Sequence, residues 1–193
     1  MNRRSLPGPE EAVLRFLAGD REAFGDIVRQ WEGRVYNLAL RFLGNREDAQ
    51  DVAQETFLSA FRSLKSLRDP GSFRTWLYRV ALNHCRARLR GARPELSLEE
   101  PSGDAERGGA PDPLQAVLQR AAGDPVEARD LVRKALMGLS EEHRQAVILK
   151  EYLGLSLEEV AQVMDCPLST AKSRLYHGLR GMHRRLVRLG AGS

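Results

Sequence analysis

Residues 156–175, SLEEVAQVMDCPLSTAKSRL, decide the fold of the C-terminal part of the chain. Ser156 and Glu159 have the S-x-x-E spacing of a capping box, which predicts a short helix ending at Met164. The Asp-Cys-Pro tripeptide that follows is a tight break, and a second helix is predicted to begin near Ser169. A short acidic helix, a break and a longer basic helix are typical of a helix-turn-helix.

The second helix of this motif is the predicted reader of DNA. Its apolar residues recur every three or four positions from Ala171 to Leu186, which leaves the side chains between them exposed. Recognition helices reach base edges with their N-terminal residues, so the predicted readers are Thr170, Lys172, Ser173, Tyr176 and His177. Other basic residues are predicted to contact phosphates, which position a protein without specifying sequence: Lys150, Arg180, Arg184 and Arg185. An amphipathic helical hairpin with no role in DNA binding is the alternative.

Basic residues are concentrated in two tracts that contain no acidic residue. The chain has 193 residues, with 30 Lys and Arg against 26 Asp and Glu. Residues 70–94 contain six arginines, and residues 166–193 contain six basic side chains. Two separate acid-free tracts favour two contacts with a polyanion, while two solvated helix faces are the alternative.

Residues 94–113, PELSLEEPSGDAERGGAPDP, separate two helical parts of the chain. Four prolines and three glycines among these twenty residues cannot support a packed element, so the segment is predicted to be a flexible acidic linker. We therefore predict an all-α chain with two small helical domains, 8–92 and 125–190, joined by a linker over 93–124. Residues 113–123 are predicted to form a short helix that leads into the second domain.

Composition disfavours several protein classes. No apolar run approaches the ~18–20 residues of a membrane helix, and no apolar core of a signal peptide follows the first arginines. Cys85 and Cys166 lie far apart, which fits a reducing cytoplasm and predicts buried structural thiols rather than a zinc site. No phosphate-binding, dinucleotide-binding or zinc-protease motif is present, so we expect no catalytic residue, no cofactor and no metal.

The N-terminal domain begins with two predicted helices, one capped by Asp20 and running to Phe42, the next capped by Asn45. The second carries acidic residues opposite its apolar stripe. Asp51 and Glu55 have an i,i+4 like-charge spacing that gains nothing locally. We interpret this acidic face as a surface for a basic partner, with a merely solvated face as the alternative.

A third helix is predicted after the break at Asp69-Pro70-Gly71, capped by Ser72 and running from Phe73 to about Arg90. Polar residues recur every three or four positions on one of its faces: Arg79, Asn83, Arg86 and Arg90. Arginines at this spacing can bind successive phosphates, and an asparagine amide can bind a base edge. Phe73 and Trp76 could stack on bases, although core packing is the favoured interpretation of both.

Four stretches resemble conserved regions of a known family. Residues 48–57 (DAQDVAQETF) and 73–83 (FRTWLYRVALN) resemble region 2 of bacterial sigma-70 factors. Residues 139–142 (LSEE) and 164–175 (MDCPLSTAKSRL) resemble region 4. With only these two regions and a linker, the chain resembles the extracytoplasmic-function (ECF) group, close to its sigma-E branch.

The resemblance implies roles for three surfaces. Docking on the coiled coil of the RNA polymerase β′ subunit is implied for Asp48, Asp51, Gln54 and Glu55. Binding of the promoter −10 element, with a flipped base held by Asn83 and the loop 67–72, is implied for Leu67, Ser72, Phe73, Trp76, Arg79, Asn83 and Arg86. Binding of the −35 element is implied for Lys150, Thr170, Lys172, Ser173, Arg174, Tyr176, His177 and Arg180.

Three positions depart from the family pattern. His177 stands where the sigma-E branch commonly has arginine, and residues 169–171 (STA) replace Gly-Thr-Val, so the −35 sequence is expected to differ. Leu67 stands where an aromatic residue can occur, which weakens an expectation of base stacking there.

The resemblance also implies partners. These are core RNA polymerase, through its β′ coiled coil and β flap, promoter DNA and an anti-sigma protein, in the cytoplasm and without membrane insertion.

Two DNA elements about two helical turns apart are ~70 Å apart. The 33 residues from 92 to 124 can extend to ~110 Å, which is enough to span them.

Two other classes of function remain open at this point. A stand-alone helix-turn-helix regulator would use its N-terminal domain for sensing or dimerisation, and polymerase binding through Asp51 and Glu55 would separate it from a sigma factor. An enzyme is the third class. It is disfavoured because the four histidines are scattered along the sequence and form no catalytic motif.

Overall fold

The computed structural model describes residues 9–92 and 125–190, and every regular element in these ranges is a helix. The all-α class is confirmed. The chain divides into two compact units, 1–92 and 93–193. The predicted linker over 93–124 and the short helix over 113–123 lie outside the described residues.

The described part of the N-terminal unit contains α1 Pro9–Leu17, α2 Ala23–Leu43, α3 Arg46–Ser63 and α4 Phe73–Ala92. Two short 3-10 turns, Leu64–Ser66 and Pro70–Ser72, connect α3 to α4. Helix α2 is central and packs against the other three helices. The unit is therefore a small bundle in which α3 and α4 lie side by side, each with a face left for solvent.

The core of this unit follows the apolar stripe of α2. Ile27, Leu38 and Phe42 have no exposed surface, as their helical spacing predicts. Trp31, also on α2, packs edge-to-face against Phe73 of α4 with ring centroids 5.5 Å apart. Truncation of a side chain buried in this way typically costs about 2–5 kcal/mol. The aromatic contact thus holds the start of α4 against α2.

A left-handed glycine and an asparagine cap make the sharp turn between α2 and α3. Gly44 ends α2 with φ 73°, a conformation that glycine adopts without strain. Asn45 then caps α3, because its side chain accepts hydrogen bonds from the backbone N–H groups of Glu47 and Asp48. The predicted asparagine cap is confirmed.

The prediction that Ser72 caps α4 is wrong. The Asp69 carboxylate accepts from the backbone N–H of Gly71 at 3.0 Å and from the Ser72 hydroxyl at 2.6 Å. These hydrogen bonds, the one from Ser72 first, lower the pKa of Asp69. The serine hydroxyl is thus a donor to the aspartate. The carboxylate is the stronger acceptor, and it closes the 3-10 turn that leads into α4.

The described part of the C-terminal unit contains α5 Pro125–Met137, α6 Glu141–Val147, α7 Leu157–Met164 and α8 Leu168–Gly190. A π-helical segment, Ile148–Tyr152, continues α6. Helix α8 packs against α5, α6 and α7. The capping box of Ser156 and Glu159 is present and α7 ends at Met164, so the helix-turn-helix bounds are confirmed.

The turn of the helix-turn-helix depends on a left-handed residue. Asp165 has φ 52°, and its backbone N–H donates to the carbonyls of Ala161 and Gln162. Ala161 is nearly buried, as expected for a small residue where two helices cross. Cys85 is buried, but Cys166 is partly exposed because it lies in this turn, so the prediction of two buried thiols holds only for Cys85.

Close helix contacts in this unit require small residues on α8. A Cβ atom at Gly178 would lie 2.7 Å from Val147 Cγ2 and 2.9 Å from the His143 carbonyl oxygen. A Cβ atom at Gly181 would lie 2.7 Å from Leu139 Cδ2. Buried Arg144 donates to the carbonyls of Met137 and Leu139 and so satisfies the end of α5. These contacts position α8, and the sequence pattern did not predict them.

Candidate nucleic-acid and partner interfaces

The first three turns of α8 expose a continuous polar surface. Lys172, Ser173, Tyr176 and His177 are all exposed, and Thr170 beside them is partly exposed. We call the four exposed residues the reading face. Because they lie at the N-terminal end of the second helix of a helix-turn-helix, they lie where such helices meet base edges.

Contacts among aromatic and basic side chains organise this reading face. The rings of Tyr176 and His177 meet edge-to-face at 5.7 Å, and the His177 ring lies 5.9 Å from the ring of His143 on α6. The Arg180 guanidinium lies 5.6 Å from the centroid of the Tyr176 ring. Such contacts restrict side-chain rotamers, so part of the ordering cost of binding is already met before a ligand arrives.

Lys150 and Lys172 reach the same surface from two different elements. Both lie close enough to Glu158 to lower the pKa of its carboxylate. The largest cause of the lowered pKa is the hydrogen bond from the Glu158 backbone N–H, and the hydrogen bond from Ser156 comes next. The attraction to the two lysines is a smaller cause. The fold therefore brings together two lysines that are 22 positions apart in sequence.

Arg174 is engaged within the protein. Its guanidinium lies 2.6 Å from the Glu142 carboxylate of α6. Glu142 is the more exposed partner, so the pair lies at the surface between α6 and α8. A phosphate that binds Arg174 would have to compete with this carboxylate. For this reason Arg174 is not included in the reading face.

One side of α4 carries the predicted arginine and asparagine pattern. We call Arg79, Asn83, Arg86 and Arg90 the arginine face; three of these residues are exposed and Arg86 is partly exposed. Their spacing of four, three and four residues places them on one side of the helix. The face can thus present a row of cations and one amide to a nucleic acid.

The aromatic residues at the start of α4 differ in accessibility. Phe73 is only 3% exposed and packs between Trp31 and Trp76, so its ring belongs to the core. Trp76 is partly exposed at the edge of that core, as are Leu67 and Ser72 in the segment between α3 and α4. Of the two aromatic residues, Trp76 is therefore the more accessible.

The acidic residues of α3 face basic residues of α4. Arg88 lies 2.9 Å from Asp48 and also pairs with Asp51. His84 Nδ1 lies 3.3 Å from the Glu55 carboxylate. We call Asp48, Asp51 and Glu55 the carboxylate row. The like-charge spacing of Asp51 and Glu55 gains nothing within α3, as predicted, but the packing of α4 beside α3 supplies cations that helix periodicity does not reveal.

A groove of about 670 Å³ lies beside the carboxylate row, between α2 and α3. It is lined mainly by apolar and aromatic side chains, among them Phe24, Tyr36, Phe57 and Phe61. Leu58 on its rim is 52% exposed, which is unusual for a large apolar residue beside other apolar surface. Gln54 lines this groove instead of joining the carboxylate row. Helix α3 therefore presents an acidic surface and an apolar surface next to each other.

Neither a metal centre nor a membrane span is found in the described ranges 9–92 and 125–190. These residues contain no group of three or more His, Cys, Asp or Glu side chains able to hold a metal ion. Among them, no helix is both long and apolar enough to cross a membrane.

Comparisons with protein families identify both units. The model for "Sigma-70 region 2" matches residues 27–95, and the model for "Sigma-70, region 4" matches residues 129–182. The first match contains the arginine face and the carboxylate row, and the second contains the reading face.

Curated relatives match over nearly the whole chain. RNA polymerase sigma-H factor of Pseudomonas aeruginosa is 35% identical over 185 residues, covering 92% of this chain and 93% of the relative. ECF RNA polymerase sigma factor SigW of Bacillus subtilis is 31% identical, covering 92% and 96%. ECF RNA polymerase sigma-E factor of Escherichia coli is 36% identical, covering 85% and 86%.

Two solved structures share the fold. CnrH, solved in complex with the cytosolic domain of CnrY, gives a TM-score of 0.65 at 23% identity, covering 97% of this chain and 100% of that one. The sigma factor RpoE of Bartonella quintana, solved with the anti-sigma factor NepR, gives 0.61 at 21% identity, covering 84% and 96%.

Proposed function

Since the chain belongs to the sigma-70 family, in its extracytoplasmic-function (ECF) group, we propose which of its surfaces perform each step of promoter-specific initiation. The carboxylate row and Gln54 bind core RNA polymerase, the arginine face binds the −10 element, and the reading face binds the −35 element. The chain contributes recognition, and the polymerase contributes catalysis.

Core polymerase binds at α3. The carboxylate row offers three negative charges in two helical turns, and Gln54 joins it to the apolar groove. A coiled coil of the β′ subunit with basic and apolar side chains would complement both surfaces at once. The mixed character of α3 supports this assignment.

The −10 element binds at α4. Arg79, Arg86 and Arg90 contact phosphates of the non-template strand, and Asn83 holds a base flipped out of the stack by hydrogen bonds from its amide. Trp76, one turn before Arg79 on α4, is partly exposed and offers a ring on which a base can stack. Phe73 supports that ring from the core at 6.0 Å.

The −35 element binds at α8. Lys172, Ser173, Tyr176 and His177 enter the major groove, and Lys150 and Arg180 hold the flanking phosphates. Arg174 stays with Glu142 and orients α8 on α6, so its contribution to DNA binding is indirect. The β flap of the polymerase would contact this unit away from the reading face.

A single observation carries the proposal. Within each family match, one described helix carries several basic residues and no acidic residue, α4 in residues 27–95 and α8 in residues 129–182. Family membership disfavours the stand-alone regulator.

Binding to core RNA polymerase tests the assignment of α3. Asp51→Lys reverses a charge at the middle of the carboxylate row and should abolish binding to purified core enzyme, measured by fluorescence anisotropy of the labelled chain. The circular dichroism spectrum and melting temperature should stay close to wild type, because Asp51 is exposed. Unchanged binding by a folded Asp51→Lys variant would contradict the assignment.

An anti-sigma protein is the proposed regulator. Support comes from the Bartonella quintana relative in fold, which was solved with an anti-sigma factor. Such a partner would hold the chain inactive in the cytoplasm, where the polymerase works. A purified partner that binds this chain should stop transcription by the reconstituted holoenzyme. Binding without inhibition would contradict this role.

A further inference from the structure

Arg88 lies on the opposite side of α4 from the arginine face. It follows Arg79 by nine residues, which is about two and a half turns at 3.6 residues per turn. The six arginines of residues 70–94 therefore do not act together. Arg88 is directed at α3, away from the surface assigned to promoter DNA.

The guanidinium of Arg88 bridges two carboxylates of the row. Its Nε lies 2.9 Å from Asp48 Oδ1, and its Nη2 donates to Asp51 Oδ2. The hydrogen bond to Asp51 is the first cause that raises the pKa of Arg88, followed by attraction to Asp51, Asp48 and Glu55. Arg88 is thus the cation that the whole carboxylate row faces from α4, with His84 beside Glu55.

We propose that Arg88 is an internal competitor for the polymerase-binding carboxylates: it occupies Asp48 and Asp51 in the free protein, and basic side chains of the polymerase displace it on binding. This inference rests on the proposed function of the carboxylate row. Arg88 then sets how strongly the row attracts core enzyme, without touching the promoter.

Charge and exposure support this exchange. The three carboxylates carry −3, and the Arg88 guanidinium offsets one of these charges. The Arg88 and Asp51 side chains are 36% and 50% exposed, so solvent reaches the pair. Exposed ion pairs contribute little to folding, and the long arginine side chain can leave without opening the core.

Removal of the competitor should tighten binding. Arg88→Gln keeps a long polar side chain but loses the charge, and we expect its affinity for core RNA polymerase to rise about two- to fivefold, the range that exposed ion pairs produce. Affinity should also fall more steeply with salt, because more unpaired carboxylates attract the partner. The measurement is anisotropy titration of the full chain with core enzyme at several salt concentrations.

A matched control separates this effect from a general change in charge. Arg29→Gln also removes an arginine that pairs with an aspartate, Asp26, on the surface of the same unit. It should leave the affinity at the wild-type value. Equal affinities for Arg88→Gln and wild type, or weaker binding by Arg88→Gln, would overturn the proposal.

Two further variants keep the test decisive. Arg88→Lys retains the charge but lacks the planar fork that bridges two carboxylates, so its affinity for core enzyme should lie between those of wild type and Arg88→Gln. If Arg88→Gln folds poorly, an affinity of Arg88→Lys above wild type still tests the proposal. Asp51→Asn should weaken binding, and more so in the Arg88→Gln background, where no internal cation masks Asp51. If Asp51→Asn changes nothing, the proposed function of the row fails. If Asp51→Asn acts but Arg88 does not couple to it, only the competitor is excluded.

Discussion

Gly178 lies where α8 crosses α6, and its missing side chain lets the two backbones approach. A Cβ atom there would meet Val147 Cγ2 and the His143 carbonyl oxygen at 2.7 and 2.9 Å. Because a carbonyl on the backbone cannot move aside, Gly178→Ala should destabilise the C-terminal unit by about 1–3 kcal/mol, as overpacking does. Thermal and urea unfolding measure this change.

A second glycine provides the control for that measurement. Gly33 lies in the interior of α2, with nothing within 4 Å of an added Cβ atom. Gly33→Ala should therefore be neutral or stabilise by up to about 1 kcal/mol, since alanine is the better helix former. Equal effects at Gly33 and Gly178 would show that the close crossing does not determine stability.

Lys172 and Arg184 should contribute differently to DNA binding. Lys172 belongs to the reading face, while Arg184 is exposed two turns beyond the Tyr176–His177 pair, in the zone assigned to phosphates. Lys172→Ala should change the preferred −35 sequence. Arg184→Ala should weaken binding to all sequences and reduce the salt slope by about one unit. Competition binding with −35 variants at several salt concentrations checks both, and identical profiles for the two variants would contradict the division of roles.

At the scale of elements, the turn into α4 depends on one carboxylate. Hydrogen bonds from Ser72 and the Gly71 N–H lower the pKa of Asp69 in the folded state. A lowered pKa means that the ionised group stabilises the fold above pH about 4, and that this contribution disappears as the pH falls through the lowered pKa.

Asparagine at this position should remove the acid dependence of the turn. Asp69→Asn keeps a side-chain acceptor at the cap but has no group to protonate. Between pH 6 and pH 2, its melting temperature should fall less than that of the wild type. An equal fall in melting temperature for the two proteins between pH 6 and pH 2 would contradict the role of Asp69.

Local patterns predicted most helices, and tertiary contacts account for what they missed. The caps at Asn45 and Ser156 use residues two or three positions away, so sequence alone located them. Helix α1, Pro9–Leu17, was not predicted, although its buried residues Ala12, Val13 and Phe16 have helical spacing. The cap before α4 was assigned to Ser72 because the stronger acceptor, Asp69, lies before a proline.

Sequence patterns also predicted much of the candidate site, but not its internal partners. Helical spacing predicts which residues of α8 and α4 are exposed, and in the structure the residues of the reading face and the arginine face are exposed or partly exposed. The pairing of Arg88 with Asp51 joins residues 37 positions apart, so no local rule could reveal it. The same holds for Arg174 with Glu142 and for the ring contact of His143 with His177.

At the scale of the whole molecule, the described parts of the two helical units carry separate cationic surfaces, and the N-terminal unit also carries an acidic row. The arginine face and the carboxylate row share the N-terminal unit, and the reading face lies on the C-terminal unit. This division matches an initiation factor that must bind an enzyme and two DNA elements at the same time. Two moderate DNA contacts on one chain give a joint affinity that exceeds either contact alone.

Transcription from a randomised promoter library by core RNA polymerase with this chain tests the central claim most directly. The account predicts that transcribed templates are enriched in two short sequence blocks about two helical turns apart, and that Lys172→Ala alters only the upstream block. Transcription no greater than that of core enzyme alone, or enrichment without two spaced blocks, would contradict it.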